Sequence, residues 1–164
     1  MKKIHVALCC FLLFFTGCGN QAEEKAVEKQ IEKETGGKAD VDIQDKGMKI
    51  TGETEGEKYS VTTGQATEIP ANFPADVPLY QPGTPVSAVE VNGGHSVTLA
   101  TADPVDRVAA SYKEQMPARG WKEEASMNMG DQTMLIYTKE GKNAHIAVTP
   151  TDGKTHVTVT VGME

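Results

Sequence analysis

VSAVEVNGGHSVTLATADPVDRVAASYKEQMPARGW, residues 86–121, changes its hydrophobic period part-way. Over 86–91 and 96–100 apolar and polar residues alternate, the period of a strand with one face buried. Asn92-Gly93-Gly94 between them is a hairpin turn, because glycine and asparagine reach the positive φ that a tight turn needs. From 105 the period turns helical, with Val105, Val108, Ala109, Tyr112 and Met116 on one stripe. Asp103 is read as the N-cap of that helix, Pro104 as its first residue and Asp106 as its capping-box acid. Pro117 ends or kinks the helix, Gly120 closes it, and Trp121 begins a strand.

Two hairpins follow. Residues 133–139 turn at Glu140-Gly141 into 143–149, and that strand turns at Asp152-Gly153 into 155–161. The second turn sets a register in which 148 faces 157 and 147 faces 158. Ile146, Val148, Val157, Val159 and Val161 then point to a core, and His145, Ala147, Thr149, His156, Thr158 and Thr160 point to solvent. Residues 86–164 are therefore expected to be an α+β domain, an antiparallel sheet of about five or six strands with one helix packed on one face. Each buried Val or Leu contributes about 1.5–3 kcal/mol, so these faces suffice for a core.

Upstream, residues 41–85 are expected to form a small strand meander and then a Pro-rich collar. MKITGE and KYSVTT alternate, with turns at Lys46-Gly47 and Glu55-Gly56. IPANFPADVPLYQPGTP (69–85) holds five of the eight prolines, which excludes a helix or a central strand. Ile69, Phe73, Val77, Leu79 and Tyr80 are expected to pin this collar onto the core; a Pro-rich ligand for a partner's aromatic groove is the other reading. Residues 18–40 read as a tether with a short helix over about 23–34, rich in Glu and Lys, thin in apolar residues and stopped at Gly36-Gly37. It is either a solvated spacer or a docking helix for a partner.

The first 17 residues have the pattern of a secretory signal peptide. Lys2 and Lys3 precede the apolar run Ile4–Phe15, and small residues follow. That run is shorter than the roughly 20 residues a spanning helix needs. Phe15-Thr16-Gly17-Cys18 resembles the bacterial lipobox, although members of that family usually carry Leu where Phe15 stands. The resemblance implies that Cys18 is acylated, palmitate being a usual chain, and becomes the first residue of the mature protein. Cys9 and Cys10 would leave with the signal, so no thiol would remain for a disulfide or a thiolate site. Acyl chains bind membranes at about 0.8 kcal/mol per buried methylene, and more than one chain gives firm anchoring. The expected address is the cell envelope, lipid-anchored. In a Gram-negative host, Gly19 after the cysteine implies the periplasmic face of the outer membrane.

Composition narrows the chemistry further. A net charge of −7 without a Lys/Arg cluster argues against nucleic acid as a partner, since that binding runs on phosphate neutralisation. His145 and His156 share a face, but the register separates them by about 13 Å at roughly 3.3 Å per residue, so the two cannot share one metal ion. His95 follows a turn, and all three are read as surface histidines. Met127, Met129 and Met134 cluster around a loop tip without His or Cys, which fits core filling or an adhesive tip better than a soft-metal site. No catalytic, metal or cofactor residues are assigned, and the expectation is a protein that is not an enzyme.

IEKETGGKADVDI (31–43), PANFPADVPLY (70–80) and AASYKEQMPARGW (109–121) resemble a group of uncharacterised bacterial exported lipoproteins. The helix-on-sheet core also looks loosely like the helix-grip modules of envelope-assembly lipoproteins. The resemblance implies a fold and an address. The expected function is a lipid-anchored, non-catalytic envelope module that binds an envelope protein partner. The alternative is a small-molecule or lipid binder with a pocket between helix and sheet.

Overall fold

The computed structural model describes residues 20–44, 46–65 and 67–163. The signal peptide and Cys18 lie outside the described residues. The chain runs α1 (Asn20–Thr35), β1 (Lys38–Gln44), β2 (Gly47–Thr54), β3 (Glu57–Gly64), β4 (Thr84–Val91), β5 (Gly94–Thr101), α2 (Val105–Ala118), β6 (Lys122–Met129), β7 (Gln132–Lys139), β8 (Lys142–Thr151) and β9 (Lys154–Met163). All nine strands join one antiparallel sheet in the order β1-β2-β3-β4-β5-β9-β8-β7-β6.

This corrects the expected fold class. Five or six strands, with the meander apart from them, underestimates the sheet, which has nine strands among the described residues; the helix expected over about 23–34 is α1, and the one expected on the sheet is α2. The strand meander is not a separate unit. β3 pairs with β4 from Tyr59↔Val91 to Thr63↔Ser87, across the whole collar in sequence, and so fuses the two halves. Nothing local encodes that pairing; it forms because the collar returns the chain antiparallel to β3.

One row across the sheet shows why the halves looked independent. It reads Asp42, Lys49, Thr62, Ala88, Val97, Val159, Ile146, Leu135, Ser126 from β1 to β6. The neighbouring row, on the opposite face, reads Val41, Ile50, Val61, Val89, Ser96, Thr160, His145, Ile136, Ala125. The apolar side therefore changes face between β3 and β5. On β5, β7, β8 and β9 it is the side on which α2 and the collar lie, where Val97, Leu99, Leu135, Tyr137, Ile146, Val148, Val157 and Val159 are sealed from solvent. On β1 to β3 it is the other side, and β4 still gives Ala88 to the α2-side core.

Four hairpins use the turn that the sequence announced. Glu55, Asn92, Glu140 and Asp152 all have positive φ, and each is followed by a glycine that also has positive φ, as the primed two-residue turn requires. The last one sets Ala147↔Thr158 and Val148↔Val157, the expected register.

Helix α2 buries Val108, Ala109, Tyr112 and Met116, the predicted stripe. Its start differs from expectation. Pro104 is the N-cap, with no side-chain cap bond, and the Asp103 carboxylate instead accepts from the Tyr80 hydroxyl at 2.7 Å and from Arg107 at 3.0 Å. A tertiary donor outcompetes the local N–H groups for that carboxylate. The helix end is a Schellman motif: Gly120 donates to the Pro117 carbonyl at 2.9 Å and Trp121 to the Met116 carbonyl at 3.1 Å. Gly120 sits at φ +85, where a side chain is strained. Replacing Gly120 with Ala is expected to cost about 1–2 kcal/mol, read as a lower urea midpoint at unchanged m-value.

Candidate functional site

The collar between Pro74 and Tyr80 is bolted to α2 and β7. Val77 and Tyr80 are core residues, and Phe73 and Leu79 pack against that core. The Trp121 indole N–H donates to the Asp76 carbonyl at 3.1 Å, and Arg119 donates to the Ala75 carbonyl at 3.0 Å. Lys139 donates to the Asp76 carboxylate at 2.7 Å and to the Arg119 carbonyl at 2.9 Å, with its ammonium 5.9 Å from the Trp121 ring centre. The hydrogen bond from Lys139 holds the Asp76 carboxyl below its usual range. Deeper in, the buried Tyr80 N–H donates to the Tyr112 phenol oxygen at 3.1 Å.

The expected pocket between Tyr112 and the sheet is therefore filled. Tyr112 is 1% exposed and lies in the same cluster as the sheet valines. The opening is displaced to the rim. A groove of about 640 Å³ lies at the start of α2, walled by Asp103 and Asp106 on one side and by Asn128, Asp131 and Lys154 on the other. Asp103 is paired with Arg107, so Asp106 and Asp131 against Lys154 give it a weakly acidic character. Asp106, read as a capping acid, and the β6–β7 and β8–β9 turns thus meet at one end of the domain, which strand pairing brings about and spacing alone could not show.

The histidines are not brought together. His145 and His156 sit on the open face, in different rows, opposite Thr160 and Thr149. His95 corrects the surface reading: it is 5% exposed, on the α2 side of the sheet, edge-on to Phe73 with ring centres 5.9 Å apart. Its Nδ1 has no hydrogen-bond partner among the described residues. Its cross-strand neighbour is Glu90, whose carboxylate accepts from Asn72 at 2.6 Å. The signal missed was the collar, since Phe73 covers a position that the hairpin alone would leave exposed. Met127 and Met129, 40% and 53% exposed, lie on the edge strand β6, and Met134 faces Met127 across the ladder. Among the described residues, no three His, Cys, Asp or Glu are grouped to hold a metal ion, and no helix is long and apolar enough to cross a membrane.

Residues 84–160 match a family model described as START domain-like. The match begins at the first residue of β4 and ends within β9, so it spans the α2-bearing half and leaves out α1, β1 to β3 and the collar. No curated protein and no solved structure matches the chain.

All four tyrosines are held above their ordinary value of 10.0. Burial is the leading cause at each. Glu32 adds to it at Tyr59, Asp103 at Tyr80 and Glu123 at Tyr137, while at Tyr112 the charge of Tyr80 adds to it and the bond from the Tyr80 backbone works against it. A phenol kept neutral by the fold stabilises it fully below pH 10. That stability is lost as pH rises from there toward the raised folded value, because only the unfolded chain gives up the proton. Tyr112 and Tyr137 are expected to ionise only together with unfolding, above about pH 10; more than two tyrosines ionising near pH 10 in a folded chain would contradict this. Tyr112→Phe, which leaves the Tyr80 N–H buried without an acceptor, is expected to cost about 1–3 kcal/mol in urea unfolding.

Proposed function

We propose that this chain is a lipid-anchored, non-catalytic binding module of the cell envelope, held through Cys18 and presenting its α2-bearing half to a ligand or an envelope protein. The observation that carries the binding role is the START domain-like match over 84–160, which points to a ligand-binding domain. The packed interior around Tyr112 directs binding to the rim groove at the start of α2 rather than to a buried cavity. Asp106 and Asp131 against Lys154, with Asp103 already paired to Arg107, favour a ligand or partner surface carrying positive charge. The anchor rests on the lipobox-like Phe15-Thr16-Gly17-Cys18 at the end of an apolar leader. In a Gram-negative host, Gly19 favours the periplasmic face of the outer membrane.

Two measurements test the two halves of the proposal. Radiolabelled palmitate is expected to label the chain and to be lost in Cys18→Ala; label that survives the substitution sinks the anchor. A photo-crosslinking residue placed at Asp106 or Asp131 in living cells is expected to capture more adduct than one placed at Thr158 on the open face. The reverse order would remove the groove as the binding surface.

A further inference from the structure

The edge of the sheet at β1 is closed in an unusual way. An edge strand presents a row of N–H and C=O groups that another strand can join. Here α1 lies along β1, running against it. The Glu24, Glu28 and Glu32 carboxylates accept from the N–H groups of Ile43, Val41 and Ala39 at 3.1, 3.2 and 3.5 Å. The match is geometric. Helix residues four apart rise about 6.0 Å, and strand residues two apart rise about 6.6 Å. The small mismatch agrees with bonds that lengthen along the ladder.

This closure is half of a strand pairing. Ionised carboxylates accept hydrogen bonds and cannot donate them, so they satisfy N–H groups and offer nothing to the carbonyls of Ala39 and Val41. An added strand would serve both. Among the described residues the helix has little else to hold it beyond the Thr54 hydroxyl, which donates to the Thr35 carbonyl at 2.9 Å. Val27 and Ile31 are half-buried, its other described side chains are mostly exposed, and a helix of 16 residues is marginal alone.

We propose that β1 is a strand-acceptor edge which α1 keeps closed, and that it takes an extended polypeptide of alternating apolar and basic residues as a tenth strand. The chemistry of the occupant follows from the two faces of β1. Asp40 and Asp42 are exposed on one face and call for basic residues beside them. Val41 and Ile43 on the other face continue into Ile50 and Met48 and call for apolar ones. A second copy of this chain fits poorly, since self-pairing centred on Val41 sets Asp40 against Asp42 twice. The proposal does not rest on the lipid anchor or on the rim groove.

The test uses the full chain and two synthetic ten-residue peptides, one alternating Val and Lys, the other Val and Glu. The triple variant Glu24→Ala, Glu28→Ala, Glu32→Ala is expected to bind the Val/Lys peptide at least tenfold more tightly than the wild type does. It is also expected to prefer it to the Val/Glu peptide and, on binding, to slow amide exchange at Ala39, Val41 and Ile43. Adding Val41→Pro, which removes an N–H that points away from β2, is expected to abolish that binding while the amides of Val157 and Val159 stay protected. Glu28→Ala alone, which leaves two of the three bonds, gives a smaller gain in the same direction and serves if the triple variant unfolds. No gain in either variant, equal binding of both peptides, peptide bound with the β1 amides still exchanging, or a dimer that pairs the β1 edges would each overturn the proposal.

Discussion

Two hydrogen bonds to the collar's main chain, from the Trp121 indole to the Asp76 carbonyl and from the Tyr80 N–H to the Tyr112 phenol, decide how the rest of this protein is arranged. They require each other's surroundings. Trp121 reaches Asp76 because the Schellman turn at Gly120 sends the chain back over the end of α2. Tyr112 reaches Tyr80 because the helical stripe turns it inward, into the buried cluster. With both bonds made, the collar becomes a wall of the core rather than a loop, and Val77 and Tyr80 join the buried cluster. Lys139 and Arg119 fasten its outer side. This backbone can pack against the core because the Val77 and Tyr80 N–H groups find acceptors and the Ala75 and Asp76 carbonyls find donors.

The wall has consequences for function. It fills the space between α2 and the sheet, and it leaves a concave surface at the start of α2. It also explains the change of apolar face across the sheet. The α2 side of β5, β7, β8 and β9 is covered by helix and collar, whereas on β1 to β3 that side carries Asp42, Lys49 and Thr62 and stays polar. The two edges then meet different fates. β6 ends the sheet with exposed Met127 and Met129, and β1 is closed by a helix whose acids are spaced to its N–H groups.

Local chemistry was legible and long-range closure was not. Asn92-Gly93, Glu140-Gly141 and Asp152-Gly153 announce their turns because few other residues reach positive φ cheaply. The period of Val108, Tyr112 and Met116 announces the buried side of α2. By contrast, the β3–β4 pairing spans the collar and has no local signature, so nine strands read as a meander plus a smaller sheet. Asp103 reads as a cap until Tyr80, 23 residues away in sequence, supplies a stronger donor. His95 reads as exposed until Phe73 covers it. Glu24, Glu28 and Glu32 read as a solvated face, because helical spacing does not reveal that a strand edge lies alongside. The acidic groove was missed for the same reason, since its walls come from three separate turns.

The collar is a wall of the core and not a lid over it. Amide hydrogen exchange at Tyr80, compared with Val157 and Val159 in β9, measures this directly. If the bond to Tyr112 belongs to the core, the Tyr80 amide exchanges only through global unfolding, as slowly as the β9 amides. If Tyr80 exchanges on the timescale of a loop while β9 stays protected, the collar opens on its own, and the interior between α2 and the sheet is the binding site after all.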